Sequence, residues 1–401
     1  MKIGIIRESK TPPDKRAPLS PEQCRNLVNK YSDLEIIVQS SNIRCFKDEE
    51  YLKEGISIKD DLSGCDVLMG VKAVNRYELI PGKTYIFFSH TIKKQEHNKD
   101  LLKTIMKENI QLIDYELFTD TNGVRILGFG RFGGLVGAYN GLRAFAIRLG
   151  NTAPKPAYLY SGLSELKNEL KNFVIPVIRI AVTGGGRAAH GAIELLETAG
   201  VKKVQVEDFL NKAGFDFPVY AQVEPEYYVK RKDGLSFDLE HFFKNPDQYE
   251  NNFEKFLPHT DMLISAAYWD PRAPVLFTPE HAKNKDFSIK VIADITCDIN
   301  GSIPSTKRAS TIEKPFYDYD RRTGELAEPF SNENNITVMA VDNLPGELPR
   351  DASAEFGVML SAKVIPDLLS NDPSGLIKKA TITKNGELTE NFSYLYEWVN
   401  G

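Results

Sequence analysis

Apolar and polar positions along the chain follow two rhythms. Short runs rich in β-branched residues alternate with stretches in which apolar residues recur at helical spacing. That alternation predicts βαβ units and a largely parallel sheet. Residues 2–6, 34–38, 66–71, 84–89 and 110–115 read as strands. Ser20-Pro21-Glu22-Gln23 supplies an N-cap, a proline at the first helical position and a capping-box glutamine. Further helices are expected around 47–54 and, with a polar face, over 94–107. A first α/β domain then ends near residue 130.

Residues 133–149 predict a long helix with several small residues. Pro154, Pro156 and Ser161-Gly162 mark a boundary. A second α/β unit opens with the apolar run 174–182 and continues to about residue 340. Pro345, Pro349 and a helical stretch over 353–370 follow, and the sequence closes with a segment at 394–399. The expected fold is α/β, with two Rossmann-like domains and a cleft between them. Residues 1–132 plus about 345–401 would form the substrate domain, and about 133–344 the dinucleotide-binding domain.

Composition narrows the function. A chain of 401 residues exceeds one ordinary core, and 42% hydrophobic residues is normal for a globular protein. A net charge of −5 is too mild to imply nucleic acid or an anionic membrane as partner. Cys24, Cys45, Cys65 and Cys297 have no metal or disulfide spacing, which fits a reducing cytoplasm and no metal site. The opening MKIGIIRESK is too short an apolar stretch for a signal peptide, and residues 173–182 cannot span a bilayer.

Two segments match G-x-G-x-x-G/A, so context must decide between them. Gly128-Phe129-Gly130-Arg131-Phe132-Gly133 follows a short strand-like run, 124–127, and leads into the small-residue helix with no acid-bearing strand beyond it. The plainer reading, close helix packing, is preferred there. Gly184-Gly185-Gly186-Arg187-Ala188-Ala189 follows the apolar strand 177–182. It leads through a helix (189–198) to a strand over 204–206 that closes on Glu207. Glycines let backbone approach a pyrophosphate whose charge meets helix N-terminal N–H groups. Glu207 would accept hydrogen bonds from the adenosine ribose and repel a 2′-phosphate, favouring NAD over NADP. Asp208 is the rival for that role.

In an open α/β sheet, ligands bind beyond the carboxyl ends of the strands. Lys72, His90 and Glu116 fall at three such ends, and Arg16 lies in the loop after the first strand. A lysine and a histidine on one rim suit amine chemistry, since both can carry protons. Each alone reads more simply as a solvated strand-end residue, and Arg16 as a solvated loop arginine. Phe237, Phe242 and Phe243 read as core packing, and His241, His259 and His281 show no ligand spacing.

Several blocks are more specific: Lys15-Arg16-Ala17-Pro18-Leu19, residues 84–93 (TYIFFSHTIK), Leu112-Ile113-Asp114-Tyr115-Glu116 and Val341-Asp342-Asn343-Leu344-Pro345. Through them nearly the whole chain resembles lysine-ketoglutarate reductase and its relative, the lysine-forming saccharopine dehydrogenase. It is more distantly similar to alanine dehydrogenase and proton-pumping transhydrogenase. The resemblance implies that Lys72 and His90 are the acid–base pair and that Glu116 tunes them. It implies that Arg16, Gln95 and Arg125 bind substrate carboxylates, that Phe129 lines the site, and that Thr296 sits between cofactor and substrate. Gly184, Gly186, Arg187, Glu207, Tyr268, Ile295 and the turn Val341, Asp342, Asn343, Leu344 would contact NAD, with NADP possible. The implied reaction is reversible. Hydride leaves the glutarate carbon of saccharopine, water adds to the imine, and lysine and 2-oxoglutarate separate.

Two departures from the resemblance stand out. Val124 replaces an arginine that contacts the cofactor in the fungal lysine-forming enzyme. The segment 210–258 is longer than alanine dehydrogenases carry, and its Tyr249…Phe253…Phe256 pattern is similar to the reductase. The rival readings are an alanine dehydrogenase-like enzyme and a dinucleotide-binding module without turnover.

Overall fold

The structure is a computed structural model that describes residues 1–401. The chain divides into two units, Met1–Phe129 with Pro349–Gly401, and Gly130–Leu348.

The first unit is built on an eight-stranded sheet. Its parallel part contains β1 (Lys2–Ile5), β2 (Glu35–Gln39), β3 (Ser57–Lys59), β4 (Val67–Lys72), β5 (Thr84–Phe88) and β6 (Gln111–Asp114). Their order is β6-β5-β4-β1-β2-β3, the pattern of a doubly wound sheet. The antiparallel strands Thr381–Lys384 and Glu387–Leu388 extend it beyond β6. Strand residues such as Ile3, Ile5, Leu68, Met69, Ile86, Phe87, Leu112 and Ile113 are fully buried, because helices cover both faces. The Pro21–Lys30 helix starts at the expected capping box: Ser20 Oγ accepts from Gln23 N–H, and the Gln23 side chain accepts from Ser20 N–H.

Two local expectations fail in this unit. The 94–107 helix begins only at Lys99, after two 3₁₀ turns, because Lys94 takes a left-handed backbone (φ 52°) that no helix accommodates. Residues 124–127 form no strand. One bridge, Thr119 to Arg125, closes a loop there, and Val124 is exposed.

The second unit has its own eight-stranded sheet. β7 (Arg179–Thr183) is central, with β9 (Val219–Val223) parallel on one side and Met262–Ser265 on the other. β8 (Lys202–Lys203) is the edge beyond β9. Val174 and Val177, expected to begin the first strand, are exposed and precede it. Phe242 is buried, but Phe243 is exposed, so only part of the predicted aromatic core forms there.

Two helices of this unit, Gly130–Arg148 and Arg187–Thr198, cross at backbone contact. A Cβ on Gly134 would stand 2.7 Å from Ala192 N and 2.8 Å from Ala188 C. One on Gly191 would stand 2.8 Å from Arg131 C. Arg131 seals the crossing from its edge with a two-armed ion pair to Glu194, at 2.6 and 2.7 Å. The Gly128–Gly133 segment therefore feeds a packed helix: its residues from Gly130 onward already belong to the helix. No helix of the protein is long and apolar enough to cross a membrane.

Candidate functional site

In the first unit, β4, β5 and β6 are consecutive parallel neighbours, so Lys72, His90 and Glu116 emerge on one rim. Glu116 is the hub. Its side chain is 4% exposed, yet it meets three basic side chains. His90 Nδ1 is 3.1 Å from one oxygen, while Arg125 Nη2 and Lys93 Nζ are 3.0 and 3.4 Å from the other. Burial alone would raise its carboxyl. The His90 hydrogen bond and the charges of Lys93, His90 and Arg125 outweigh that and hold it at about 2.

His90 has a left-handed backbone (φ 56°), uncommon without glycine. Asp114, buried at the end of β6, fixes this corner. Its Oδ2 accepts from Ser89 N–H (2.9 Å) and Ser89 Oγ (2.5 Å), and its Oδ1 accepts from Glu116 N–H (2.8 Å). One carboxylate thus ties the residue before His90 to the backbone of Glu116. Burial raises Asp114, and these bonds oppose the rise.

A second group gathers around the loop after β1. Arg16 is not a solvated loop arginine: it is buried, because Asp14 grips it through Nε (3.0 Å) and Nη2 (2.6 Å). Its guanidinium lies 4.2 Å from the ring centre of Phe129, a cation–π contact. Burial pushes Asp14 up, but Arg16 pulls it down to about 2, with a smaller contribution from Lys72. Glu8 accepts the backbone N–H groups of Val71 (2.6 Å) and Lys72 (2.9 Å), and burial raises it to about 7 against those bonds. The structure therefore brings His90, Glu116 and Arg125 into one cluster. It puts Lys72 beside Asp14 and Glu8, and Arg16 on Phe129. Gln95 is exposed on the loop after His90, where it accepts from Asn98 Nδ2 at 3.3 Å.

The sequence alone assigns no role to Lys93, Asp14 or Glu8. Lys93 follows His90 by three residues, which returns it to the same side of a 3₁₀ turn, and that spacing was a usable signal. Asp14 precedes Arg16 by two residues, the reach of a local carboxylate grip.

The second unit carries the glycine turn. Gly184 has φ 97°, and its own Cβ would stand 2.9 Å from Ala267 Cα, so only glycine fits there. Gly185, Gly186 and Arg187 are exposed, and Gly186 caps the twelve-residue Arg187–Thr198 helix. The N–H groups of an exposed, glycine-lined helix start suit the pyrophosphate of a dinucleotide. Tyr268 is exposed on the loop after Met262–Ser265. Ile295 follows Val291–Asp294 and packs where a Cβ on Gly137 would lie, 2.9 Å from its Cδ1. Thr296 Oγ1 donates to the buried Asp294 at 2.7 Å. In the turn after Ile336–Met339, Val341 and Leu344 are buried, Asn343 is half-buried and Asp342 is exposed.

Glu207 requires a correction. No strand spans 204–206. β8 stops at Lys203, and Val206–Asn211 is a helix capped by Gln205 with Glu207 in its acidic first turn. β8 is also not the neighbour of β7, because β9 lies between them. Asp208, the rival, pairs with Lys212 at 3.0 Å.

A parallel sheet that turns through three glycines into a helix is the framework of a nucleotide-dependent oxidoreductase. Residues 4–134 match the alanine dehydrogenase/PNT N-terminal domain, and residues 174–391 match the alanine dehydrogenase/PNT C-terminal domain. The chain belongs to this family, an oxidoreductase superfamily whose dehydrogenases use nicotinamide dinucleotides. It is 31% identical to alpha-aminoadipic semialdehyde synthase of Arabidopsis thaliana, over 98% of this chain and 41% of that protein. It is 29% identical to the mitochondrial protein of the same name from Mus musculus, over 98% of this chain and 47% of that one. The chain thus spans about half the length of these curated relatives. It is 24% identical to the NAD(+), L-lysine-forming saccharopine dehydrogenase of Emericella nidulans, over 92% and 91% of the two chains. Among solved structures, an L-alanine dehydrogenase covers 100% of both chains with a TM-score of 0.66 at 16% identity. A transhydrogenase from Sinorhizobium meliloti gives 0.62 at 15% identity, covering 97% of this chain and 100% of the other. At such identities these structures establish the fold.

Proposed function

We propose that this protein interconverts saccharopine with lysine and 2-oxoglutarate, using a nicotinamide dinucleotide. The observation that carries the reading is the Glu116 hub, where one buried carboxylate meets His90, Lys93 and Arg125. Making or breaking a secondary amine between two amino-acid skeletons needs proton donors and acceptors beside cations for carboxylates. This cluster supplies both. The name of the Emericella nidulans relative, an L-lysine-forming saccharopine dehydrogenase, supports saccharopine and lysine as substrates.

The bound dinucleotide would accept or donate the hydride. His90, oriented by Glu116 and by its stack on Phe88 (6.3 Å between ring centres), holds or moves a proton at its other ring nitrogen, Nε2. Lys72 Nζ would serve as its partner acid–base group, in the field of Asp14. Arg125, Gln95 and the Nη1 end of Arg16 would bind substrate carboxylates, with Phe129 as an apolar wall behind Arg16. Thr296, oriented by Asp294, would offer its oxygen between cofactor and substrate. On the dinucleotide, Gly184, Gly186 and Arg187 would meet the pyrophosphate. Tyr268, Ile295 and the Val341–Leu344 turn, through its backbone and Asp342, would flank the rest.

The test is NADH and NADPH oxidation with lysine plus 2-oxoglutarate, run beside pyruvate plus ammonia. Turnover with the first pair is expected. His90→Gln should lower kcat by about 10²–10⁴ while the protein remains folded. Turnover with pyruvate alone would move the assignment to an alanine dehydrogenase-like enzyme. Tight dinucleotide binding without turnover on any amine and oxo acid would make the protein a binding module.

A further inference from the structure

A dinucleotide laid across the glycine turn places its adenosine half over the strand next to the one that feeds the turn. The side chain at the end of that strand meets the ribose. Here that strand is β9, which runs parallel to β7 with Val223 opposite Thr183. The residue at its end is Glu224.

Three contacts hold Glu224 against the turn. Gly184 N–H donates to Val223 O at 3.0 Å, which ties the turn to the end of β9. Gln222 Nε2 donates to both Gly184 O and Glu224 Oε1, each at 3.2 Å. A Cβ placed on Gly185 would stand 3.2 Å from Glu224 Oε1, so a side chain at 185 would crowd the carboxylate. Glu224 and Gly185 are both exposed and accessible to a ligand. The surroundings are acidic as well. Tyr227 is raised by burial first, and then by the charges of Glu207, Glu226 and Glu224 around it.

We propose that Glu224 is the residue that reads the adenosine ribose, and that it makes this protein select NAD(H) over NADP(H). A carboxylate accepts hydrogen bonds from the two vicinal ribose hydroxyls. A 2′-phosphate removes one of those donors and brings a like charge to the same place. Gln222 engages Oε1 from the side of the turn and holds the carboxylate in position for the sugar. Lys203 on β8 donates to the Oε1 of the same glutamine at 3.4 Å, so the one lysine in this contact chain acts on Gln222. The assignment rests on the dinucleotide reading above, not on the identity of the amine substrate.

The experiment is equilibrium titration of the full-length protein with NADH and with NADPH, followed by fluorescence, with no amine or oxo acid present. The wild type should bind NADH at least tenfold more tightly than NADPH. Glu224→Gln, nearly equal in size, should weaken NADH binding about tenfold and reduce the preference below threefold. Glu224→Ser should do the same, and Glu207→Gln should change the preference less than twofold. Equal binding of the two dinucleotides by the wild type would overturn the proposal. So would an unchanged preference in both Glu224 variants, or a preference lost in Glu207→Gln alone. Binding of neither dinucleotide would defeat the cofactor reading together with this one. Selective NADH binding without turnover on lysine and 2-oxoglutarate would defeat only the substrate reading.

Discussion

Gly133 and Gly134 are adjacent in one helix, yet replacing each by alanine should have opposite effects. At position 133 the new methyl would meet only Ile295 Cγ2, at 3.8 Å, an ordinary contact. Alanine is worth about 0.8–1.0 kcal/mol more than glycine in a helix interior, so Gly133→Ala should stabilise by up to about 1 kcal/mol. At position 134 the methyl would stand 2.7 Å from Ala192 N and 2.8 Å from Ala188 C, and closer still to Ala188 O. Carbon contacts settle at about 3.5–4.0 Å, so the Arg187–Thr198 helix must retreat by about 1 Å. These are backbone atoms of a packed helix and cannot rotate aside. Over-packing of this kind costs about 1–3 kcal/mol and occasionally more. After the propensity gain of about 1 kcal/mol is subtracted, Gly134→Ala should still destabilise, by up to about 2 kcal/mol. For a unit of this size, about 2–4 °C per kcal/mol converts that to a melting point lower by up to about 4–8 °C. Scanning calorimetry of the two variants beside the wild type provides the measurement. If Gly134→Ala melts at or above the wild type, the crossing is not held at backbone contact and the packing reading of the Gly128–Gly133 motif fails.

Two further outcomes follow from buried carboxylates. Glu347 is buried, accepts from Asn140 Nδ2 at 2.7 Å, and is raised by burial from its ordinary 4.5 to about 7. The folded state therefore keeps a proton that the unfolded state releases, and stability falls as pH rises from about 4.5 through about 7. At about 1.36 kcal/mol per pKa unit the loss approaches about 3 kcal/mol above pH 7. Glu347→Gln, measured by thermal melts at pH 5 and pH 8, should flatten that decline, and an unchanged slope would contradict it. Asp14→Ala should leave the Arg16 guanidinium buried without its partner and destabilise by about 3–5 kcal/mol in urea unfolding. A loss under about 1 kcal/mol would mean that the pair contributes little.

The strand ends bearing Lys72, His90 and Glu116 were legible because β4, β5 and β6 are fully buried runs whose apolar stretches stop where the chemistry starts. The glycine turn was legible for the same reason. The acid beside it was not. Val204-Gln205-Val206 alternates as a strand would, but the chain enters a helix at Val206, whose first turn carries the acidic Glu207 and Asp208. β8 is two exposed lysines with no apolar signal, and β9 takes the place next to β7 through pairing that no local pattern encodes. Lys93 reaches Glu116, 23 residues further on, only once the loops are folded, whereas Asp14 holds Arg16 at a local spacing of two residues.

The C-terminal strand Thr381–Lys384 pairs with β6, and Thr383 Oγ1 accepts from Leu112 N–H across 271 residues of sequence. All of Gly130–Leu348 lies between them. At about 5–20 residues per second, a ribosome needs about 15–50 s to make the intervening chain. During that interval the second unit emerges as a continuous segment, while the first unit waits with the edge of β6 uncovered. Synthesis therefore imposes an order that equilibrium structure does not: the inserted unit matures first. The nascent protein is most exposed to edge-to-edge aggregation at the strand whose end carries Glu116.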